Sequence, residues 1–112
     1  MSEFQFWSYR GPASDVRKFQ GARGLHTGFT VGAVPIDLPQ DVPIANGDRV
    51  RVIFACHKSN KSGQVVRFVN ATTGTFSNIN HNIRSVGEDA DRFTRGDAAV
   101  LKELSSYMLA NP

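Results

Sequence analysis

Asn46-Gly47-Asp48-Arg49-Val50-Arg51-Val52-Ile53-Phe54-Ala55-Cys56-His57 is the stretch that decides the fold. Asn-Gly-Asp is a turn with a mechanism, since Asn and Gly tolerate positive φ and Asp bonds to nearby backbone. The residues that follow alternate. Val50, Val52, Phe54 and Cys56 point one way, and Arg49, Arg51, Ile53 and Ala55 the other, which is the period of a β-strand. Residues 58–63 read as a hairpin connection, longer than the two-residue kind. Residues 64–70 are the partner strand, with Val66 and Phe68 on one side and Val65, Arg67 and Val69 on the other.

The same reading extends outward. Upstream, Phe4 and Phe6 fall on one face of an extended chain and Trp7 and Tyr9 on the other, until Gly11-Pro12 interrupts them. Residues 13–19 read either as a short helical turn capped by Ser14 and carrying Val16 and Phe19, or as the first strand resuming after a bulge at Gly11; the short length and the glycine-rich loop that follows favour the strand without deciding it. Leu25, Thr27, Phe29 and Val31 share a face of a second strand. Pro35, Pro39 and Pro43 then exclude a helix or a central strand, so this segment reads as a strand end running along a sheet edge into a loop. Downstream, Thr72-Thr73-Gly74 is a turn and residues 75–79 a short last strand. Residues 81–96 are polar and weakly patterned, and read as a connection. Asp97 is a good N-cap, and Val100, Leu101, Leu104 and Met108 recur at helical spacing, which predicts an amphipathic helix over 97–110.

The chain has 112 residues, which is one domain by size. Hydrophobic residues at 40% and charged residues at 21% give a globular balance, outside the regime of disorder. The single cysteine, Cys56, cannot form a disulfide within the chain. The opening residues lack a charged apolar leader, and no apolar run approaches the ~20 residues of a membrane span. The expectation is a cytoplasmic protein with no membrane insertion.

Several short strands in meander order, the first one broken, suggest a mainly β fold: a small five-stranded barrel over residues 1–80 with an added C-terminal helix, one domain overall. The broken first strand, Thr27-Gly28-Phe29-Thr30-Val31, Asn46-Gly47-Asp48 before its alternating strand, and Arg67-Phe68-Val69-Asn70-Ala71-Thr72-Thr73-Gly74 together resemble small bacterial OB-fold-like domains of uncharacterised function. The resemblance covers roughly residues 4–80. It implies an OB-like barrel and says little about function, because its best elements are turn signals. The chain departs from the usual plan in leaving no room for a helix between residues 58 and 63.

Catalytic chemistry finds little support. His26, His57 and His81 lie far apart, Cys56 and His57 point to opposite faces of one strand, and Cys56 continues an apolar face. Gly21-Ala22-Arg23-Gly24 lacks the residues of a phosphate-binding loop. The expectation is a noncatalytic domain without metal or cofactor. The charge pattern is more informative. The net charge is only +3, yet Arg49, Arg51, Lys58, Lys61 and Arg67 follow one another with no acid between them. If Val50, Val52 and Phe54 face the core, Arg49 and Arg51 face out, and by the same logic Arg67, Trp7 and Tyr9 do too. Trp7, Tyr9, Arg49, Arg51, Lys58, Lys61 and Arg67 are thus one candidate surface. Exposed aromatics with arginines suit a protein partner or self-association. Cations interleaved with aromatics also suit single-stranded nucleic acid. A third reading packs Trp7 and Tyr9 under the C-terminal helix.

Overall fold

The computed structural model describes residues 3–90 and 96–112, with the side chain of Ala90 left aside. Six antiparallel strands form one sheet, and two helices follow. The strands are β1 (Phe4–Gly21), β2 (Gly24–Val31), β3 (Val34–Leu38), β4 (Arg49–His57), β5 (Asn60–Asn70) and β6 (Thr75–Asn78). The helices are α1 (Asn80–Ala90) and α2 (Gly96–Ala110). The order across the sheet is β3-β2-β1-β4-β5-β6. The mainly β reading holds, with a C-terminal helix. The closed five-stranded barrel does not: there are six strands, and no ladder joins β3 to β5 or β6.

The sheet turns on β1. Its first half, residues 4–12, pairs with β4, and its second half, from Ala13, pairs with β2. Residues 13–19 are strand, which decides between the two readings in favour of the preferred one. The irregularity lies at Ser14/Arg17, inside the second half, rather than at Gly11, and Asp15 occupies it at φ 54°. Asp tolerates this left-handed conformation better than most residues, because its short side chain bonds locally. Here Asp15 Oδ2 accepts from Arg17 Nη1 at 3.0 Å. Asp15→Gly is therefore expected to leave thermal stability unchanged or raise it slightly. Asp15→Val is expected to cost roughly 1–2 kcal/mol, and melting curves would show a fall of several degrees.

Pro35 does not end the second strand segment as a loop. Gly32-Ala33 turns the chain, with Gly32 at φ 59°, and β3 returns as an edge strand in which Pro35 needs no ladder partner. The β2–β3 hairpin folds over one face of β4 and β5. Phe29, Val31, Ile36, Leu38, Val50, Val52, Val65, Phe68 and Ile79 form the core there. The helices cover part of the other face, where Phe4, Ile53, Ala55, Val66, Ile83, Val86, Val100 and Leu104 form a second core. β4 is thus covered on both faces.

The β4–β5 ladder slips between Ile53 and Phe54. A bulge opposite Ile53 explains why Val66 joins the helix-side core while Val65 and Phe68 face the hairpin, against the simple alternation expected of residues 64–70. The segment 81–96 is not a polar connection. Asn80–Ala90 is helix, residues 91–95 lie outside the described residues, and α2 begins at Gly96, with Asp97 inside its first turn rather than capping it. No helix among the described residues is long and apolar enough to cross a membrane.

Candidate functional site

Residues directly opposite each other in an antiparallel ladder share a face. The registers therefore place every candidate side chain. Trp7 faces Phe54 and Tyr9 faces Val52, on the hairpin side. Trp7 stacks on Phe54 at 5.6 Å between ring centroids, 5° from parallel, and Tyr9 meets Phe54 edge-on at 5.7 Å. The arginines lie on the opposite, helix side. Arg10 faces Arg51, Arg51 faces Val69, and Val69 faces Phe76, giving one row across β1, β4, β5 and β6. At ~4.8 Å per strand this row is roughly 14 Å long. Arg49 lies one step away on the same face, opposite Pro12, and Arg67 lies one step the other way, opposite Ile53 and Asn78.

The expected single basic and aromatic surface is therefore not formed. Arg49, Arg51 and Arg67 come together, and Trp7 and Tyr9 lie behind them. Lys58 and Lys61 sit at the other end of β4, roughly 27 Å along the strand from Arg49. Trp7 is not covered by α2; the ring stacked there is Phe6, 5.4 Å from Tyr107. Arg51 is not an exposed strand residue. It is 8% exposed, its Nε donates to Ser8 Oγ at 3.1 Å, and its guanidinium lies 5.8 Å from the Tyr107 ring centroid. Alternation misses this because arginine can bury its stem and hold its charged end at a rim.

Arg10 is the functional candidate that the sequence reading passed over. With Gly11, Arg49, Val50, Arg51, Val69, Ala71 and Pro112 it lines a groove of about 510 Å³ with no acidic side chain in its wall. Its guanidinium donates to the Pro112 carbonyl oxygen. The sequence signal was one of parity: Arg10 follows Phe6 and Ser8 by twos, and so shares their face. Beyond the groove, Phe76 is 61% exposed, and Arg67 lies over its ring at 4.6 Å. Arg67 Nε donates to Asn78 Oδ1 at 2.8 Å. Burial lowers the Arg67 pKa from the ordinary arginine value, and the side chain stays cationic as arginines in proteins do.

The remaining polar side chains serve the fold. Asn70, fully buried, donates to Asp48 Oδ2 at 2.9 Å and accepts from the Thr72 backbone N–H at 3.1 Å. Asp48 Oδ2 also accepts from the Ala45 N–H at 2.9 Å, so both turn signals are parts of one network. Cys56 is buried at 2% exposure on the hairpin side, while His57 points to the helix side with Nδ1 2.7 Å from Ser59 Oγ. Among the described residues no group of three or more His, Cys, Asp or Glu gathers where it could hold a metal ion.

A second feature is an edge rather than a pocket. Residues 6–10 of β1 pair with β4 on one side, and among the described residues no strand pairs with their other side. Tyr9 is 41% exposed and Phe6 and Trp7 are half-buried along it. No protein-family model, no curated protein and no solved structure matches this chain.

Proposed function

We propose that this is a noncatalytic, OB-like binding domain that self-associates by joining the open edge of β1 to the same edge of a second copy. The OB-like reading is supported by the order β3-β2-β1-β4-β5, with a long bent β1 shared between two ladders. The gap between β3 and β5, the added β6 and the two trailing helices are departures from a five-stranded barrel.

The observation that carries the association is the unpaired edge at residues 6–10. Soluble proteins blunt such edges with charge, proline or a covering element. This edge's stretch Phe6-Trp7-Ser8-Tyr9 has no charge or proline, and the edge's one charge, Arg10, lies at its end. Its flanking charges are opposite, Glu3 at one end and Arg10 at the other. An antiparallel pair of copies brings each Glu3 end to an Arg10 end. Pairing centred on Trp7 sets Gln5 opposite Tyr9 and keeps the aromatic face continuous.

That register makes the test specific. Light scattering of the wild type is expected to show a dimer whose fraction grows with concentration. Gln5→Lys with Tyr9→Lys puts like charges directly opposite at two places and should give a monomer of unchanged circular dichroism. Gln5→Glu with Tyr9→Lys pairs opposite charges at the same places and should restore the dimer. A wild type that stays monomeric at millimolar concentration would sink the proposal.

A further inference from the structure

We infer that the arginine face is a binding site for single-stranded nucleic acid, with phosphates held by the exposed Arg10 and Arg49 and a base stacked on Phe76. The inference rests on the helix-side sheet face; it shares Arg10 with the β1 edge, while Arg49, Arg67 and Phe76 lie away from that edge.

Four arginines from three strands converge on this face: Arg10 from β1, Arg49 and Arg51 from β4, and Arg67 from β5. A net charge of only +3 for the chain makes this concentration of cations local rather than general. Like charges gathered on one face repel one another, so the arrangement costs free energy unless an anion offsets it. The structure supplies little internal compensation. Among the described residues the ion pairs involve Arg17, Lys18, His26 and His57, and none of the four arginines. Arg10 is oriented by the Pro112 backbone oxygen, and Arg51 by two neutral partners, Ser8 and Tyr107. Arg10 and Arg49 are exposed and present their charge to a ligand. Guanidinium groups held this way match phosphate geometry with little ordering cost on binding.

The aromatic end of the row selects the kind of anion. Phe76 is the most exposed ring of the sheet, and Arg67 backs it at 4.6 Å. A ring supported on one side by a guanidinium and open to solvent is a platform for an unstacked base. The row from Arg10 to Phe76 spans roughly 14 Å of sheet, which is longer than one phosphate needs and fits a short run of backbone with one base laid down at its end. Double-stranded nucleic acid hides its base faces and would leave Phe76 without a role.

The test is fluorescence anisotropy with a dye-labelled twelve-nucleotide oligothymidylate and its ribo-counterpart, at low and high salt. Wild-type protein is expected to bind at low salt and to weaken steeply as salt rises. Arg10→Ala with Arg49→Ala removes two exposed cations without touching a core. It should weaken binding by about tenfold or more and flatten the salt dependence by about two phosphate contacts. Phe76→Ala should weaken binding by roughly fivefold to a hundredfold and leave the salt slope in place. Lys58→Ala with Lys61→Ala, at the far end of β4, should change little. Trp7 emission should not respond, because Trp7 lies on the opposite face. Absence of binding at low salt overturns the inference. So does an equal loss in the lysine variant, quenching of Trp7, equal affinity for a duplex, a mononucleotide or polyglutamate, or a silent Phe76→Ala.

Discussion

Gly87→Ala is expected to destabilise the protein by roughly 3 kcal/mol, the upper part of the usual range for overpacking. The sign is what makes the result informative. Gly87 lies within α1, and glycine to alanine inside a helix ordinarily gains up to about 1 kcal/mol. Here α1 and α2 meet backbone to backbone. A Cβ on Gly87 would fall 2.5 Å from the Gly96 carbonyl carbon and 2.6 Å from the Asp97 nitrogen. On Gly96 it would fall 2.1 Å from the Gly87 oxygen. These are backbone atoms, so no side chain can rotate aside and one helix must move. Moving α2 lifts Val100 and Leu104, both fully buried, from the core formed by Phe4, Ile53, Ala55, Val66, Ile83 and Val86. Urea unfolding of Gly87→Ala should show an earlier midpoint, and near-ultraviolet circular dichroism should report altered packing of Tyr107. A variant as stable as wild type would mean that the helices do not approach this closely.

That contact also shows what the sequence made legible and what it did not. The strand Arg49–His57, its preceding turn and the final helix are visible because each carries its own local signal: alternation, turn residues, or a three- and four-residue repeat. α1 carries a weak one. Asn80, His81, Asn82 and Arg84 are polar, and its buried apolar residues Ile83 and Val86 stand too few to mark a face until α2 and the sheet are in place. Gly87 reads as a helix breaker in isolation and as a contact point only beside Gly96. The candidate site was half legible for a related reason. Parity along a strand correctly put Trp7 opposite Phe6 and grouped Arg49 with Arg51. Relating one strand's parity to its neighbour's needs the register, and the sequence holds no local record of it. The assumption that Trp7 and Arg51 share an outer face failed on that point, as did the inference from Val66 to Arg67, because the bulge opposite Ile53 breaks the count. A further error was to treat one buried face per strand as the rule. β4 has two, so Arg51 lies under Tyr107 rather than in solvent.

The largest loss from a single side chain is expected at Phe68→Ala, about 4 kcal/mol in the range for a buried phenylalanine truncated to alanine. Phe68 on β5 and Phe29 on β2 are not neighbours in the sheet, since β1 and β4 lie between their strands. They meet because the sheet folds over itself, with ring centroids 5.6 Å apart and planes at 66°, and both rings are at most 1% exposed. In a closed barrel, hydrogen bonds between β3 and β5 would hold the two layers together. Here that ladder is absent. Polar links across the opening come from two side chains: Gln40 Nε2 donates to the Asn78 carbonyl at 3.0 Å and Gln40 Oε1 accepts from the Asn80 N–H at 3.3 Å, and Asn70 Nδ2 donates to the Pro43 carbonyl at 3.2 Å. Gln40 is partly exposed, so water replaces its bonds readily, and Gln40→Ala should cost about 1 kcal/mol. Phe68→Leu keeps most of the buried volume and should cost far less than alanine. Pairing Phe68→Leu with Phe29→Leu in a double-mutant cycle should give a coupling of roughly 1 kcal/mol for the edge-on rings. If Gln40→Ala instead proved the costlier change, hydrogen bonding across the gap would be holding the hairpin down, and the domain would behave as a barrel with a strained seam. If Phe68→Ala is costlier, as the packing requires, buried side chains hold the hairpin over β5 more than the polar link at Gln40 does. Its backbone edge at β3 then stays free of any structural duty toward β5.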